Sequence, residues 1–249
     1  IHMISAWANK TGIVLGQMRV DEKSNEIPAV PQLLDFIDVQ NCTITSDAMS
    51  CQKKTVQKIR EKNCDYAICL KGNQETIYDD VRFYFESAEK EPEFYALDKT
   101  ETHDKGHGRI EKRTAFVTNE TDWLEQKNDW SKLACIGAIH TEFETDKGKS
   151  SEWHYYISSK KLTVEELLRH ARKEWSVETM HWLLDVHFEE DWCRVEDKNI
   201  QKNLNIFRKC AINLIKLYKS ESESKKPISN IMHDCLLDVD SLLQIIIKN

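Results

Sequence analysis

Glycine and proline are scarce, with 7 and 4 in 249 residues. That composition excludes a collagen-like, low-complexity or largely disordered chain. The eight cysteines, at 42, 51, 64, 69, 135, 193, 210 and 235, include no C-x-x-C pair, which argues against a zinc ribbon or a thioredoxin-like site. His103 and His107 have metal-like spacing but no thiol partners, so no zinc site is expected there. Neither a secretory leader pattern nor a long apolar run is read, and we expect a reducing, cytoplasmic compartment and no membrane partner. An excess of basic residues is missing too. The net charge is −7, which is not the balance of a dedicated nucleic-acid binder.

Forty per cent of the residues are hydrophobic and seven are tryptophan, enough for a sizeable core in one large domain or two small ones. Charge is unevenly spread. Residues 178–197 carry seven acids against Arg194 alone, whereas residues 198–226 carry eight bases against Glu221 and Glu223. An acidic patch followed by a basic helix suits metal beside phosphate; the alternative is two solvated helix faces of opposite sign.

Residues 1–9 and 13–20 read as strands joined by a turn at Lys10-Thr11-Gly12, making a hairpin. A helix follows over 28–37, then a short β-branched run over 42–48 ending near Asp47, a basic amphipathic helix over 51–62, a strand over 66–70 and a helix over 74–89. This alternation builds a parallel sheet, and the hairpin makes it a mixed one. From 94 to 158 the pattern becomes antiparallel, with strands at 109–118, 135–145 and 151–158 and turns at 103–108 and 146–149. Helices are expected over 163–188, 199–219 and about 234–247, the first opened by a capping box of Thr163 and Glu166. Residues 220–226 form the best linker candidate, before Pro227.

The 163–188 helix is the most informative stretch. Glu178, His181, Trp182 and Asp185 share one face, at i, i+3, i+4 and i+7, while Val177, Met180, Leu184 and Phe188 recur on another, expected to be buried. A strand-end carboxylate such as Asp47 is well placed for a site in an α/β sheet. Clustered carboxylates need a cation, and hard oxygen donors favour Mg²⁺ or Mn²⁺. Two such ions about 3.5–4 Å apart serve phosphodiester chemistry. The pair Asp47 and Glu178 alone also fits turn-capping and solvated roles.

Several motifs, in order, carry a resemblance. Ile1-His-Met-Ile-Ser-Ala-Trp-Ala8, Val20-Asp-Glu-Lys-Ser-Asn-Glu26, Thr45-Ser-Asp-Ala-Met-Ser-Cys-Gln52, Leu70-Lys-Gly-Asn-Gln74, His107-Gly-Arg-Ile-Glu111, and Trp175-Ser-Val-Glu178 with His181-Trp-Leu-Leu-Asp-Val186 resemble the core of DDE insertion-sequence transposases of the H-repeat-associated group. Residues 203–213 resemble the helix that follows. The resemblance implies a ribonuclease-H-like α/β fold, divalent metal (Mg²⁺ or Mn²⁺), and DNA cleavage and strand transfer at element ends. It makes Asp47 the second catalytic, metal-binding aspartate and Glu178 the third carboxylate. It gives Arg172 a phosphate contact; Lys202, Arg208 and Lys209 are the expected DNA-binding bases of the following helix. Partners are then element-end and target DNA, with a homodimer left open.

The departures from the pattern shape the expectation. The family's first aspartate lies in a strand upstream of the segment where this chain starts, and Asp21 belongs to the D-E-K-S-N-E motif instead. Ser46 and Ser50 replace the usual Ile and Gly, Glu174 stands where histidine is usual, and residues 228–240 contain no Lys or Arg. We expect a transposase core over 1–219 with an antiparallel insertion at about 94–158, a linker and C-terminal helix over 220–249, the first central strand missing, and catalysis incomplete. The alternatives are a non-catalytic DNA-binding or transposase-partner remnant, and an unrelated acidic interaction domain.

Overall fold

A computed structural model describes residues 3–20, 26–106, 109–146 and 148–247. They fall into two compact units, one of residues 3–20 with 175–247, the other of residues 26–174.

In the first unit, β1 (Met3–Ala8) and β2 (Ile13–Arg19) form the expected antiparallel hairpin. Gly12 closes its turn at φ +68°, where its amide bonds Ala8 O at 2.8 Å; a side chain there would strain the backbone. The register shifts by one residue between Ala6 and Trp7, leaving Leu15 as a bulge. Helices α5 (Val177–His187) and α6 (Lys198–Glu221) complete the core: Met180, Leu183, Leu184 and Ile212 are buried, with Trp7, Val14, Val177 and Phe188 packed against them. The apolar face of α5 is thus the one its spacing indicates. Asp197 caps α6 by accepting from the Asn199 and Ile200 amides.

The single C-terminal helix expected over 234–247 is two, α7 (Ile228–Leu237) and α8 (Val239–Ile247). Asp238 separates them. Its backbone is extended and its carboxylate accepts from the Asp240 and Ser241 amides, so it starts a new helix rather than continuing the old one.

The second unit opens with α1 (Glu26–Phe36). The strand β3 (Thr43–Ile44) then pairs in parallel with β4 (Asp65–Leu70), across the connecting helix α2 (Lys53–Glu61). β4 is almost wholly buried, as a two-sided strand requires. Helix α3 (Glu75–Lys90) follows, then β5 (Asp98–Gly106), β6 (Arg109–Thr118), β7 (Cys135–Thr145) and β8 (Gly148–Ser158). These four form an antiparallel meander, and β8 pairs antiparallel with β4. The result is one mixed sheet in the order β3-β4-β8-β7-β6-β5. The antiparallel strands therefore continue the β3–β4 sheet. A turn was expected from 103; β5 instead runs through Gly106, while His107 and Gly108 lie outside the described residues, as do 21–25 of the Val20–Glu26 motif.

Helix α4 (Val164–Glu174) begins with the expected capping box: the Thr163 amide donates to Glu166 Oε2 at 3.1 Å and the Glu166 amide to Thr163 Oγ1 at 3.3 Å. The helix expected over 163–188 does not run unbroken. At Trp175 and Ser176 the Glu178 and Thr179 amides bond three residues back instead of four, and the Ser176 hydroxyl donates to Asn9 Oδ1. Such tightening ends the α-helical ladder without changing the apolar period.

Leu167 of α4 is fully buried above Gly137 of β7. A Cβ at Gly137 would lie 2.7 Å from Leu167 Cδ2 and 3.3 Å from Phe116 O. Gly137→Val should therefore cost about 1–3 kcal/mol through overpacking, read as a lower urea midpoint with an unchanged m-value.

Candidate active site

Asp47 sits where the chain leaves β3. Its extended backbone makes it the cap of the short turn Ala48–Ser50, and its Oδ1 accepts the Ala48 amide at 2.6 Å. The side chain stays 67% exposed, so the carboxylate remains accessible to a ligand. The loop after β4 closes on this turn. Lys71 Nζ lies 3.6 Å from Asp47 Oδ1, Asn73 Nδ2 donates to Ala48 O at 2.9 Å, and Gln74 Nε2 donates to Gln52 Oε1 at 3.1 Å. The motif at 70–74 thus braces the motif at 45–52, a pairing that sequence order alone does not disclose.

Glu174, at the end of α4, shares this environment. Its carboxyl is pushed up to about 7, first by burial and then by the negative charge of Asp47, with Lys71 pulling the other way. Beside them, Ser46 Oγ is buried and unpartnered. Arg172, two residues earlier on α4, is exposed.

Glu178, His181, Trp182 and Asp185 all lie on the exposed side of α5, as their spacing predicts. The Asp185 carboxyl is raised by desolvation, then by Asp191 and Glu190, while His181 opposes this. The same unit holds a cavity of about 410 Å³, lined by residues including Ser5, His181, Glu190, Asn205, Arg208 and Lys209.

The three α6 bases expected to bind DNA differ in placement. Lys202 is exposed and Arg208 half-buried, 3.9 Å from Glu190 Oε1. Lys209 is buried. Its ammonium donates to Ser5 Oγ at 2.8 Å and Gln17 Oε1 at 2.7 Å, and burial lowers its pKa to about 8 against the pull of Glu190. It ties α6 to both hairpin strands.

Asp47, Arg172 and Glu174 thus belong to the unit of residues 26–174, and Glu178, Lys202, Arg208 and Lys209 to the other. No group of three or more His, Cys, Asp or Glu side chains among the described residues is arranged to hold a metal ion. The donor chemistry at Asp47 nevertheless fits a hard divalent cation. An exposed carboxylate stands beside a second carboxyl that its charge destabilises, and a cation would relieve that repulsion. No helix of the described residues is long and apolar enough to cross a membrane.

The family described as "Transposase DDE domain" matches residues 1–214. Curated relatives agree with it. "Putative transposase YncI" of Escherichia coli O157:H7 is 36% identical over 225 residues, 87% of this chain and 56% of that protein. "H repeat-associated putative transposase YhhI" of Escherichia coli K12 is 35% identical over 224 residues, 86% of this chain and 58% of that protein. An uncharacterised protein of Xanthobacter autotrophicus, from the dhlA 3′ region, is 40% identical over 160 residues, 64% of this chain and 53% of that protein. The chain spans a little over half the length of these relatives.

Proposed function

From the premise that the chain belongs to the transposase DDE-domain family, we propose that it is the core of an insertion-sequence transposase, acting on DNA at element ends through a two-metal DDE site. The fold is then ribonuclease-H-like, with the family core over 1–219, the 94–158 strands as its insertion and 220–249 as a C-terminal appendage. Asp47 and Glu178 are the two catalytic carboxylates of this chain, and they would hold Mg²⁺ or Mn²⁺. The cation supplies activation of water and neutralisation of charge at the scissile phosphate. Arg172, Lys202 and Arg208 face the DNA backbone, and Lys209 holds α6 in place for them. The compartment is cytoplasmic.

The observation carrying this reading is the placement of Asp47: an exposed carboxylate just past the end of a parallel strand, braced by a second family motif. A DDE set needs a third carboxylate. Residues 1–20 contain no Asp or Glu, and β3 is an edge strand among the described residues. The 249-residue polypeptide tested by itself should therefore bind cation and DNA without cutting.

Mn²⁺ titration followed by electron paramagnetic resonance tests the site. Asp47→Asn and Glu178→Gln should each weaken binding at least tenfold, about 1.4 kcal/mol. Unchanged affinity in Asp47→Asn would sink the reading. The exposure of Arg172 and Lys202 favours a second one, metal-independent DNA binding without chemistry. Equal, salt-dependent affinity for duplex DNA in EDTA and in Mn²⁺, with no Asp47 effect, would select it.

A further inference from the structure

We propose that Lys71 is a substrate-contacting residue: the phosphate ligand of the Asp47 half-site, released onto a DNA phosphodiester when a divalent cation takes its place at the Asp47 carboxylate. The inference rests on the reading of Asp47 given above.

Three of the four residues after β4 reach the 45–52 segment through their side chains, and they do so in two ways. Asn73 and Gln74 make hydrogen bonds of 2.9 and 3.1 Å to Ala48 O and Gln52 Oε1, which fix one loop against the other. Lys71 makes only a loose pair, 3.6 Å from Asp47 Oδ1, with its side chain 60% exposed and that of Asp47 67% exposed. An ion pair this open contributes little to stability. The loop therefore positions an ammonium at the carboxylate without locking it there.

That arrangement has a consequence when a divalent cation arrives. Asp47 Oδ1 already accepts the Ala48 amide at 2.6 Å. A cation on this carboxylate repels an ammonium within a few ångströms. Among the described residues Lys71 makes no other hydrogen bond or ion pair, and its flexible stem lets it swing while Asn73 and Gln74 keep its backbone in place. The anion that the proposed substrate would offer there is a backbone phosphodiester. A lysine ammonium suits that role as a mobile point charge. Lys71 thus neutralises Asp47 before binding and the phosphate after it.

The test measures duplex DNA binding against KCl concentration by fluorescence anisotropy, in EDTA and in Ca²⁺, together with Mn²⁺ affinity. In Ca²⁺, Lys71→Gln should reduce the slope of log affinity against log salt by about 0.9, the value for one phosphate contact. Lys71→Arg should restore it. In EDTA, wild type and Lys71→Gln should have the same slope. Mn²⁺ affinity should rise a fewfold in Lys71→Gln, because a competing charge is gone. Equal slopes in Ca²⁺, with Asp47→Asn still abolishing Mn²⁺ binding, would overturn the role of Lys71 and leave the reading of Asp47 standing. Retained Mn²⁺ binding in Asp47→Asn would overturn both.

Discussion

Asn213→Ala should destabilise the unit of residues 3–20 and 175–247 by about 2–3 kcal/mol. The Asn213 amide on α6 pairs with one residue of β2 in both directions: it accepts from the Val14 amide at 2.7 Å and donates to Val14 O at 2.8 Å. A side chain here takes the place of a neighbouring strand. Val14 follows the turn and precedes the bulged Leu15, where the ladder to β1 is irregular. Truncation leaves a donor and an acceptor without partners, and each such group costs about 1–3 kcal/mol when kept from water; partial burial places the sum toward the lower end. Asn213→Asp is the sharper variant. It keeps an acceptor for the Val14 amide but sets a second oxygen against Val14 O, so it should be at least as damaging at neutral pH. Urea unfolding followed by tryptophan fluorescence measures both. A change under 0.5 kcal/mol in Asn213→Ala would show that the pairing is not needed.

This contact illustrates what the sequence discloses and what it hides. The hairpin is legible because two apolar runs flank a turn ending in Gly12, whose φ of +68° only glycine adopts freely. The parallel β3–β4 pair is legible from the αβ alternation, and the buried face of α5 from its period. The break at Trp175 and Ser176 is not. Two residues of tighter turn leave the 3.6-residue spacing of the apolar positions almost intact, so periodicity reads straight through it. β5 is hidden for another reason. Its residues, from Asp98 through Lys105, are polar and mostly exposed, and only the ladder to β6 makes them a strand.

The site divides the same way. Motif order nominates Asp47 and Glu178 as the proposed site carboxylates, but does not disclose the bracing of one motif by another, because that depends on two loops meeting at one end of a sheet. Lys209 shows the opposite failure: its charge suggests DNA, while its spacing from Asn205 and Ile212, four residues before and three after, puts it on the buried stripe of α6. Position on the helix decides here, and the ammonium is satisfied by Ser5 and Gln17 instead of phosphate.

Glu174→Gln should stabilise the unit of residues 26–174 at pH 8 by about 1–3 kcal/mol, and the gain should vanish in acid. The titrating and charged groups around Glu174 are Asp47, Lys71, Cys69 and Tyr156. Burial and Asp47 hold its carboxyl at about 7 in the folded chain, against an ordinary value near 4.5. The folded state therefore favours the neutral acid. Below pH 4.5 both states carry the proton and nothing is lost. Between 4.5 and 7 the unfolded chain ionises first, so stability falls as pH rises. Above 7 the full cost is present, at most about 3 kcal/mol for a shift of this size. Glutamine keeps the shape and removes the charge, so its stability should be flatter across pH 4.5–7 than that of wild type. Urea midpoints at pH 5 and pH 8 decide it: equal differences between the two chains at both values would mean that Glu174 does not titrate in this window. The residue at this position is histidine in the resemblance pattern and glutamate here, so this chain sets a second carboxyl beside Asp47 and accepts a pH-dependent cost at its own candidate site.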